Sequence, residues 1–307
     1  MRALVSAPEL GRGVVELREV DDPTPKANHA VVQVAATSLN RGECGALLTA
    51  VDGWRPGWDL AGTVVAAAEG RLPVGTRVVG WVNGGAWAER VCVRADHLAP
   101  IPDDLSYEIA STLPVAGLTA AGVLSIAGSI LGKHVAITGA AGGVGRFAVQ
   151  LASLAGAHVT AVVGSPERGE GLRELGADDV VLRLEPEGEP FDFVVESAGG
   201  ESLAAALARV SHDGTVVTFG NSSNEPTTFD ARSFYRRGAP VMVGYFVTHE
   251  LLRGKTGSSQ LAALASLVAE GRLRSEVDLL VPWADANAAI AALLERRVRG
   301  KAVLTLG

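Results

Sequence analysis

Residues 135–152 read V-A-I-T-G-A-A-G-G-V-G-R-F-A-V-Q-L-A. The apolar, largely β-branched run Val135, Ala136, Ile137 and Thr138 stops at a glycine, and apolar residues resume at helical spacing at Val144, Phe147, Ala148 and Leu151. That order predicts a strand, a tight turn and a helix, with Gly139, Gly142, Gly143 and Gly145 in the turn. Lacking Cβ atoms, such a turn bends sharply and lets a pyrophosphate approach the backbone. The helix N-terminus behind it offers unpaired N–H groups and a partial positive charge. A further apolar strand at 159–163 follows the helix and completes a βαβ unit, the setting in which a glycine turn of this kind holds a dinucleotide. The expected phosphate contacts are Ala140, Ala141, Gly142, Gly143, Val144 and Gly145.

The end of that second strand selects among dinucleotides. An NAD site places Asp or Glu there, on the adenosine ribose 2′-hydroxyl. Here residues 162–168 read V-V-G-S-P-E-R, with Gly164 and Ser165 where the acid belongs and Arg168 one turn on. A missing carboxylate removes repulsion against a 2′-phosphate, and serine plus arginine can bond it, so the expected cofactor is NADPH. Glu167 beside them is a counter-signal. Arg183, at the end of the next strand, is expected near the adenosine.

Upstream, residues 1 to about 100 read as short β segments at 2–5, 14–19, 30–36, 62–67, 77–82 and 86–93, divided by turn signals such as Asp22-Pro23 and Asp52-Gly53. This predicts a mostly antiparallel, barrel-like β domain. From about 117 strands (135–138, 159–163, 179–182, 193–197, 215–219, 240–246) alternate with helices (144–155, 168–175, 203–210), which predicts a doubly wound parallel sheet and an α/β fold. Helices at 259–270 and 284–295 and a strand at 302–306 close the chain.

The 307 residues carry a net charge of -7, which argues against a nucleic-acid surface. Two cysteines, Cys44 and Cys92, make neither a disulfide framework nor a four-cysteine zinc lobe, and read as small buried hydrophobes. The first ten residues turn polar too early for a signal peptide, so a cytoplasmic setting is expected. The uncharged run 109–132 spans 24 residues, but Pro114 and four glycines break it, so buried helices are expected rather than a membrane span.

Eight segments carry a more specific resemblance: A-A-T-S-L-N-R-G-E (35–43), P-G-W-D-L-A-G-T-V-V (56–65), P-V-A-G-L-T-A-A (114–121), G-A-A-G-G-V-G (139–145), L-G-A-D-D-V-V (175–181), F-D-F-V-V-E-S-A-G-G (191–200), G-T-V-V-T-F-G-N-S-S (214–223) and R-G-K-A-V-L (299–304). Over essentially its full length the chain resembles the medium-chain dehydrogenase/reductase superfamily, in its zinc-independent, zeta-crystallin-like quinone oxidoreductase branch. The resemblance implies a discontinuous GroES-like catalytic domain (1–116 and 247–307) around a Rossmann dinucleotide-binding domain (117–246). It also implies hydride transfer from NADPH to a quinone or an α,β-unsaturated carbonyl. An NADPH-binding redox sensor or scaffold without turnover is the alternative.

By the same resemblance, the catalytic zinc ligands of alcohol-dehydrogenase relatives, two cysteines and a histidine, fall on Asn40, Trp58 and Val115. None of these supplies a thiolate or imidazole, so no metal is expected. Asn40 is the expected donor to an oxyanion developing on the acceptor, and Thr119 is expected at the nicotinamide. Ala198, Phe219, Gly220, Asn221, Ser222 and Phe246 are expected cofactor contacts, and Trp58 and Tyr245 are expected to shape the substrate pocket. The family's Asn-x-x-Asp appears as Asn40 to Glu43, and the two tyrosines that often follow it are absent, which leaves the proton donor unassigned. Relatives pair through the edge strand of the nucleotide domain, here 240–246, so a homodimer is expected.

Overall fold

The chain forms two structural units: Met1–Leu118 with Thr248–Gly307, and Thr119–Val247. The computed structural model describes residues 1–67, 72–254 and 257–306.

In the first unit β1 (Arg2–Ser6) and β2 (Val15–Glu19) form an antiparallel pair. β3 (His29–Leu39), β4 (Asp59–Ala67), β5 (Arg77–Trp81), β6 (Arg90–Arg94) and β7 (Leu98–Pro100) build an antiparallel sheet around β3, which pairs with both β4 and β6. Helix α1 (Arg41–Ala46) leaves β3 directly, with Asn40 as its N-cap. The strand expected at 86–93 begins only at Arg90, because residues 87–89 first bridge to β1, with Ala88 opposite Ala3. Val32, Val34, Leu60, Val78, Trp87 and Leu304 centre the core of this unit. Each fully buried aliphatic side chain contributes about 1.5–3 kcal/mol.

The uncharged run 109–132 takes in the last two residues of α2 (Tyr107–Ala110), a π-helical turn at Leu113–Gly117 and α3 (Leu118–Ile126). No helix among the described residues is long and apolar enough to cross a membrane.

The second unit carries a six-stranded, all-parallel sheet in the order β10-β9-β8-β11-β12-β13. Its strands are β8 (His134–Thr138), β9 (His158–Val162), β10 (Asp179–Val181), β11 (Phe191–Glu196), β12 (Val210–Thr218) and β13 (Val241–Gly244). Helix α4 (Gly143–Leu154) links β8 to β9 and buries Gly145, Ala148, Val149 and Ala152 along one face. Helix α5 (Gly200–Arg209) links β11 to β12, and α6 (Ala231–Tyr235) precedes β13. The helix expected at 168–175 is instead a 3₁₀ turn at Glu167–Gly169 followed by further turns. Gly171 sits there at φ +77°, where a right-handed helix cannot continue.

The chain then returns to the first unit through α7 (Val247–Leu252), whose first residue still belongs to the second, and α8 (Ser258–Ala269). β14 (Val277–Pro282), α9 (Ala286–Leu294) and β15 (Lys301–Thr305) follow. β15 pairs antiparallel with β3 and parallel with β14, extending the first unit's sheet.

Candidate active site

The glycine turn of the second unit lies between β8 and α4. Gly139 has φ +61°, and a Cβ there would stand 2.6 Å from Ser197 Oγ. At Gly145 a Cβ would collide with the Gly139 carbonyl, so only glycine lets α4 start this close to the turn. The Gly142 N–H donates to Gly139 O (2.9 Å), and Ala140 N–H donates across to Val162 O (3.1 Å). Gly142 caps α4, whose first turn carries no acidic residue. The N–H groups of Gly143, Val144 and Gly145 therefore begin the helix without intrahelical acceptors, as an anion site requires.

At the end of β9, Gly164 is exposed and Ser165 and Arg168 are half-buried, and no acid occupies the position itself. Glu167 is near: the Ser165 hydroxyl bonds to it and holds its carboxyl below the usual range. Arg183 turns elsewhere. Its Nε donates to Glu185 (2.5 Å), and it lines an apolar groove of about 500 Å³ with Glu201, Ala205, Phe229 and Phe234, to which no residue of 139–145 contributes.

At the ends of β11 and β12 the loops interlock. The Ser222 and Ser223 N–H groups donate to the carbonyls of Ser197 (3.0 Å) and Ala198 (2.8 Å). Asn221 supports its own loop, donating to Glu225 O (3.2 Å). Phe219 is half-buried, and Gly220 and Phe246 are exposed. Glu196, fully buried, accepts from Thr138 Oγ1 and from the Ala198 and Gly199 N–H groups, which fixes this rim. Thr119, the second residue of α3, has 5 % exposure. Ser111, Thr112 and Ser125 return their hydroxyls to backbone carbonyls three residues earlier, whereas that of Thr119 has no hydrogen-bond partner among the described residues. The Tyr245 hydroxyl end packs on α3 where a Cβ at Gly122 would stand.

The first unit holds a buried ionic cluster that sequence reasoning missed. Asp59, Glu43 and Lys301 have exposures of 0 %, 0 % and 2 %, with Asn40 at 9 %. Lys301 Nζ donates to Asn40 Oδ1 (2.7 Å) and Leu39 O (2.9 Å) and lies 3.6 Å from Asp59 Oδ2. Asp59 also accepts from Ser38 Oγ (2.6 Å), Asn40 Nδ2 (2.8 Å) and the Val115 N–H (2.9 Å). Glu43 Oε1 accepts from the Asn40 backbone (2.7 Å) and side chain (3.2 Å), and Glu43 Oε2 has no partner. The orientation of the Asn40 amide is forced, because its oxygen faces an ammonium and its nitrogen two carboxylates.

Burial drives the Glu43 carboxyl up to about 8, with the Asp59 charge adding to it. Burial also raises Asp59 and lowers Lys301. Asp59 has three hydrogen-bond donors and the ammonium; Glu43 has only the Asn40 amides. The arrangement that leaves no net buried charge is therefore Lys301 ammonium, Asp59 carboxylate and protonated Glu43.

This cluster bears on the expected role of Asn40. Both amide hydrogens are already given to carboxylates, so donation to an acceptor oxygen requires one to be released, and the longer bond, to Glu43, is the weaker. The metal-ligand positions of zinc relatives offer no zinc donors: the Asn40 oxygen is held by an ammonium, Trp58 has no lone pair to give, and Val115 contributes only an N–H. The Trp58 ring packs on α1, 2.7 Å from where a Gly42 Cβ would stand. The Cys44 thiol is buried and pushed well above its ordinary range by burial. Among the described residues no cluster of three or more His, Cys, Asp or Glu is arranged to hold a metal. A single charge inside an apolar run, as at Asp59, was the signal available in the sequence.

The family model described as an alcohol dehydrogenase GroES-like domain matches residues 26–103, and that described as a zinc-binding dehydrogenase matches residues 143–264. The chain is 30% identical to the chloroplast envelope quinone oxidoreductase homolog of Arabidopsis thaliana, over 96% of this chain and 94% of that protein. It is 29% identical to a quinone oxidoreductase of Pseudomonas aeruginosa over 76% of each. Among solved structures, a mycobacterial protein complexed with NADPH superposes with a TM-score of 0.88 at 26% identity, covering 100% of both chains.

Proposed function

Because the chain belongs to the medium-chain dehydrogenase/reductase superfamily, in its quinone oxidoreductase branch, we propose that it is a zinc-independent oxidoreductase that uses NADPH to reduce a quinone or an α,β-unsaturated carbonyl. The observation that carries the zinc-free reading is the chemistry at Asn40, Trp58 and Val115. Asn40 and Val115 are engaged in a hydrogen-bonded ionic cluster without net charge, and none of the three positions offers a zinc donor.

NADPH, when bound, supplies the hydride. The chain's residues bind and orient. The glycine turn and the first N–H groups of α4 take the pyrophosphate, with Ala140, Ala141 and Val144 packing beside it. Ser165 and Arg168 take the 2′-phosphate, which the absence of an acid at Gly164 permits. Arg183, paired with Glu185 and facing a separate groove, is left out of the cofactor set. Ala198, Phe219, Gly220, Asn221, Ser222 and Phe246 border the cofactor along the carboxyl edge of the sheet, and the unengaged Thr119 hydroxyl serves the nicotinamide. In the first unit Lys301 and Asp59 hold Asn40 in one orientation for the acceptor carbonyl, and Trp58 offers an apolar face; within the second unit Tyr245 packs its ring against α3. The electron-poor acceptor carries its own activation, so alignment and exclusion of water are what the protein supplies.

β13 is the outer strand of its sheet and exposes Val241 and Met242, each at 48 %, along an edge that a second copy can cover as a homodimer.

Cofactor titration tests the binding assignment. Ser165→Asp with Arg168→Ala weakens NADPH about 10- to 100-fold and NADH far less. Equal losses for the two cofactors refute the 2′-phosphate site.

A further inference from the structure

Arg55 lies on the segment that leads into β4, three residues before Trp58. Its guanidinium is half-buried and rests on Gly85, where a Cβ would stand 3.7 Å from Nε and Nη2. Nε is shut off from water and has no hydrogen-bond acceptor. No carboxylate pairs with Arg55 among the described residues, and burial lowers its pKa with no opposing charge to offset it.

Other arginines of this unit are supplied with acceptors. Arg77 donates to the carbonyls of Pro102, Asp103 and Leu105, and Arg41 donates to those of Leu293 and Leu294. Arg18 is held by Asp52 and Glu16. Arg55 alone among these four is partly desolvated and unsatisfied, a state that is costly for a charged donor and calls for a specific reason.

The backbone around it is fixed. The Gly85 N–H donates to the carbonyls of Arg55 and Pro56 (both 3.0 Å), and the Ala86 N–H to Gly57 O (3.0 Å). Gly57, Gly84 and Gly85 all hold positive φ, and a Cβ on Gly57 would stand 2.5 Å from the Trp87 nitrogen. Immediately downstream the Val82 N–H closes on Trp58 O (2.9 Å). The guanidinium is thus presented from a stiff loop shared with Trp58, with its donors pre-arranged.

We infer that Arg55 is a receptor for an anionic group, a carboxylate or phosphate monoester, carried by the acceptor substrate. The planar fork of arginine bonds either group bidentately, and partial removal from water strengthens the bond. The inference rests on the acceptor-reducing reading above and narrows it to acceptors that bear a negative charge remote from the reducible bond.

The test compares a 1,4-benzoquinone carrying a propionate side chain with its methyl ester, using the full chain and NADPH. Wild type prefers the acid in kcat/KM, through KM. Arg55→Gln lowers that preference about 10- to 100-fold, to near one, and Arg55→Lys recovers part of it because charge returns without the fork. NADPH affinity stays the same in both variants, which assigns the anion to the acceptor and not to the cofactor. Absence of an acid preference in wild type, an unchanged preference in Arg55→Gln, or a fall in NADPH affinity overturns the inference. If neither these quinones nor any acceptor of a wider quinone and enone panel is reduced, the acceptor-reducing reading fails. Calorimetric titration with propionate and inorganic phosphate then decides Arg55 by itself: binding lost in Arg55→Gln supports an anion receptor, and no binding to wild type overturns it.

Discussion

Replacing Lys301 by Met keeps the unbranched stem as far as Cε and removes the only cation that faces Asp59 among the described residues. Asp59 retains its hydrogen bonds from Ser38, Asn40 and the Val115 N–H, but its charge remains fully buried with no counter-ion. The Asn40 oxygen and the Leu39 carbonyl also lose their donor. Removing one partner of a buried ion pair costs about 3–5 kcal/mol, a large part of the stability of an ordinary domain. All five tryptophans, 54, 58, 81, 87 and 283, lie in the first unit, so tryptophan fluorescence during urea unfolding reports that unit alone. The midpoint falls by the loss divided by the slope m. Without the ammonium the raised Asp59 carboxyl rises further, so the folded variant binds a proton that its unfolded chain releases. Its deficit is therefore smallest in acid and grows toward neutral pH. Adding Asp59→Asn to Lys301→Met recovers part of the loss, because the buried charge is gone. A single-variant loss below about 1 kcal/mol at neutral pH refutes the charge assignment, as does a double variant that is simply additive.

Glu43 gives a second pH signature. Its folded carboxyl titrates near 8 against an ordinary value of 4.5, so its contribution is complete below the unfolded value and is lost as pH rises through the folded one. Stability of the wild type falls across that window, and Glu43→Gln flattens the slope; parallel curves for the two proteins in urea unfolding contradict the protonated carboxyl. At the sheet edge, Val241→Arg is exposed enough to leave the fold intact and places a charge where two β13 strands would meet. Light scattering should show dimers for the wild type and monomers for the variant, and a monomeric wild type removes the proposed pairing.

What was legible in the sequence follows from range. The glycine turn is read locally because the backbone at Gly139 and Gly145 admits no side chain, and the strand before it and the helix after it carry their own periods. The missing acid at Gly164 is read the same way, by counting along one βαβ unit. Residues 168–175 have helical apolar spacing, yet the left-handed backbone at Gly171 overrides it. The pairing of β15 with both β3 and β14 is set by packing of the chain's two ends, and no local pattern announces it. The ionic cluster is the deeper case: Asp59 reaches Asn40 through the β3–β4 pairing and Lys301 through the β15–β3 pairing, which turns an apparent oxyanion donor, Asn40, into a residue already committed to three buried partners.

Zinc-free hydride transfer is tested by the consumption of NADPH by the purified full chain, followed as loss of nicotinamide absorbance across a panel of quinones and enones with and without a strong chelator. Zinc-free hydride transfer predicts turnover with at least one acceptor at a rate the chelator leaves unaltered. Turnover abolished by the chelator and restored by zinc contradicts it, as does tight NADPH binding with no oxidation by any acceptor, the behaviour of a sensor or scaffold.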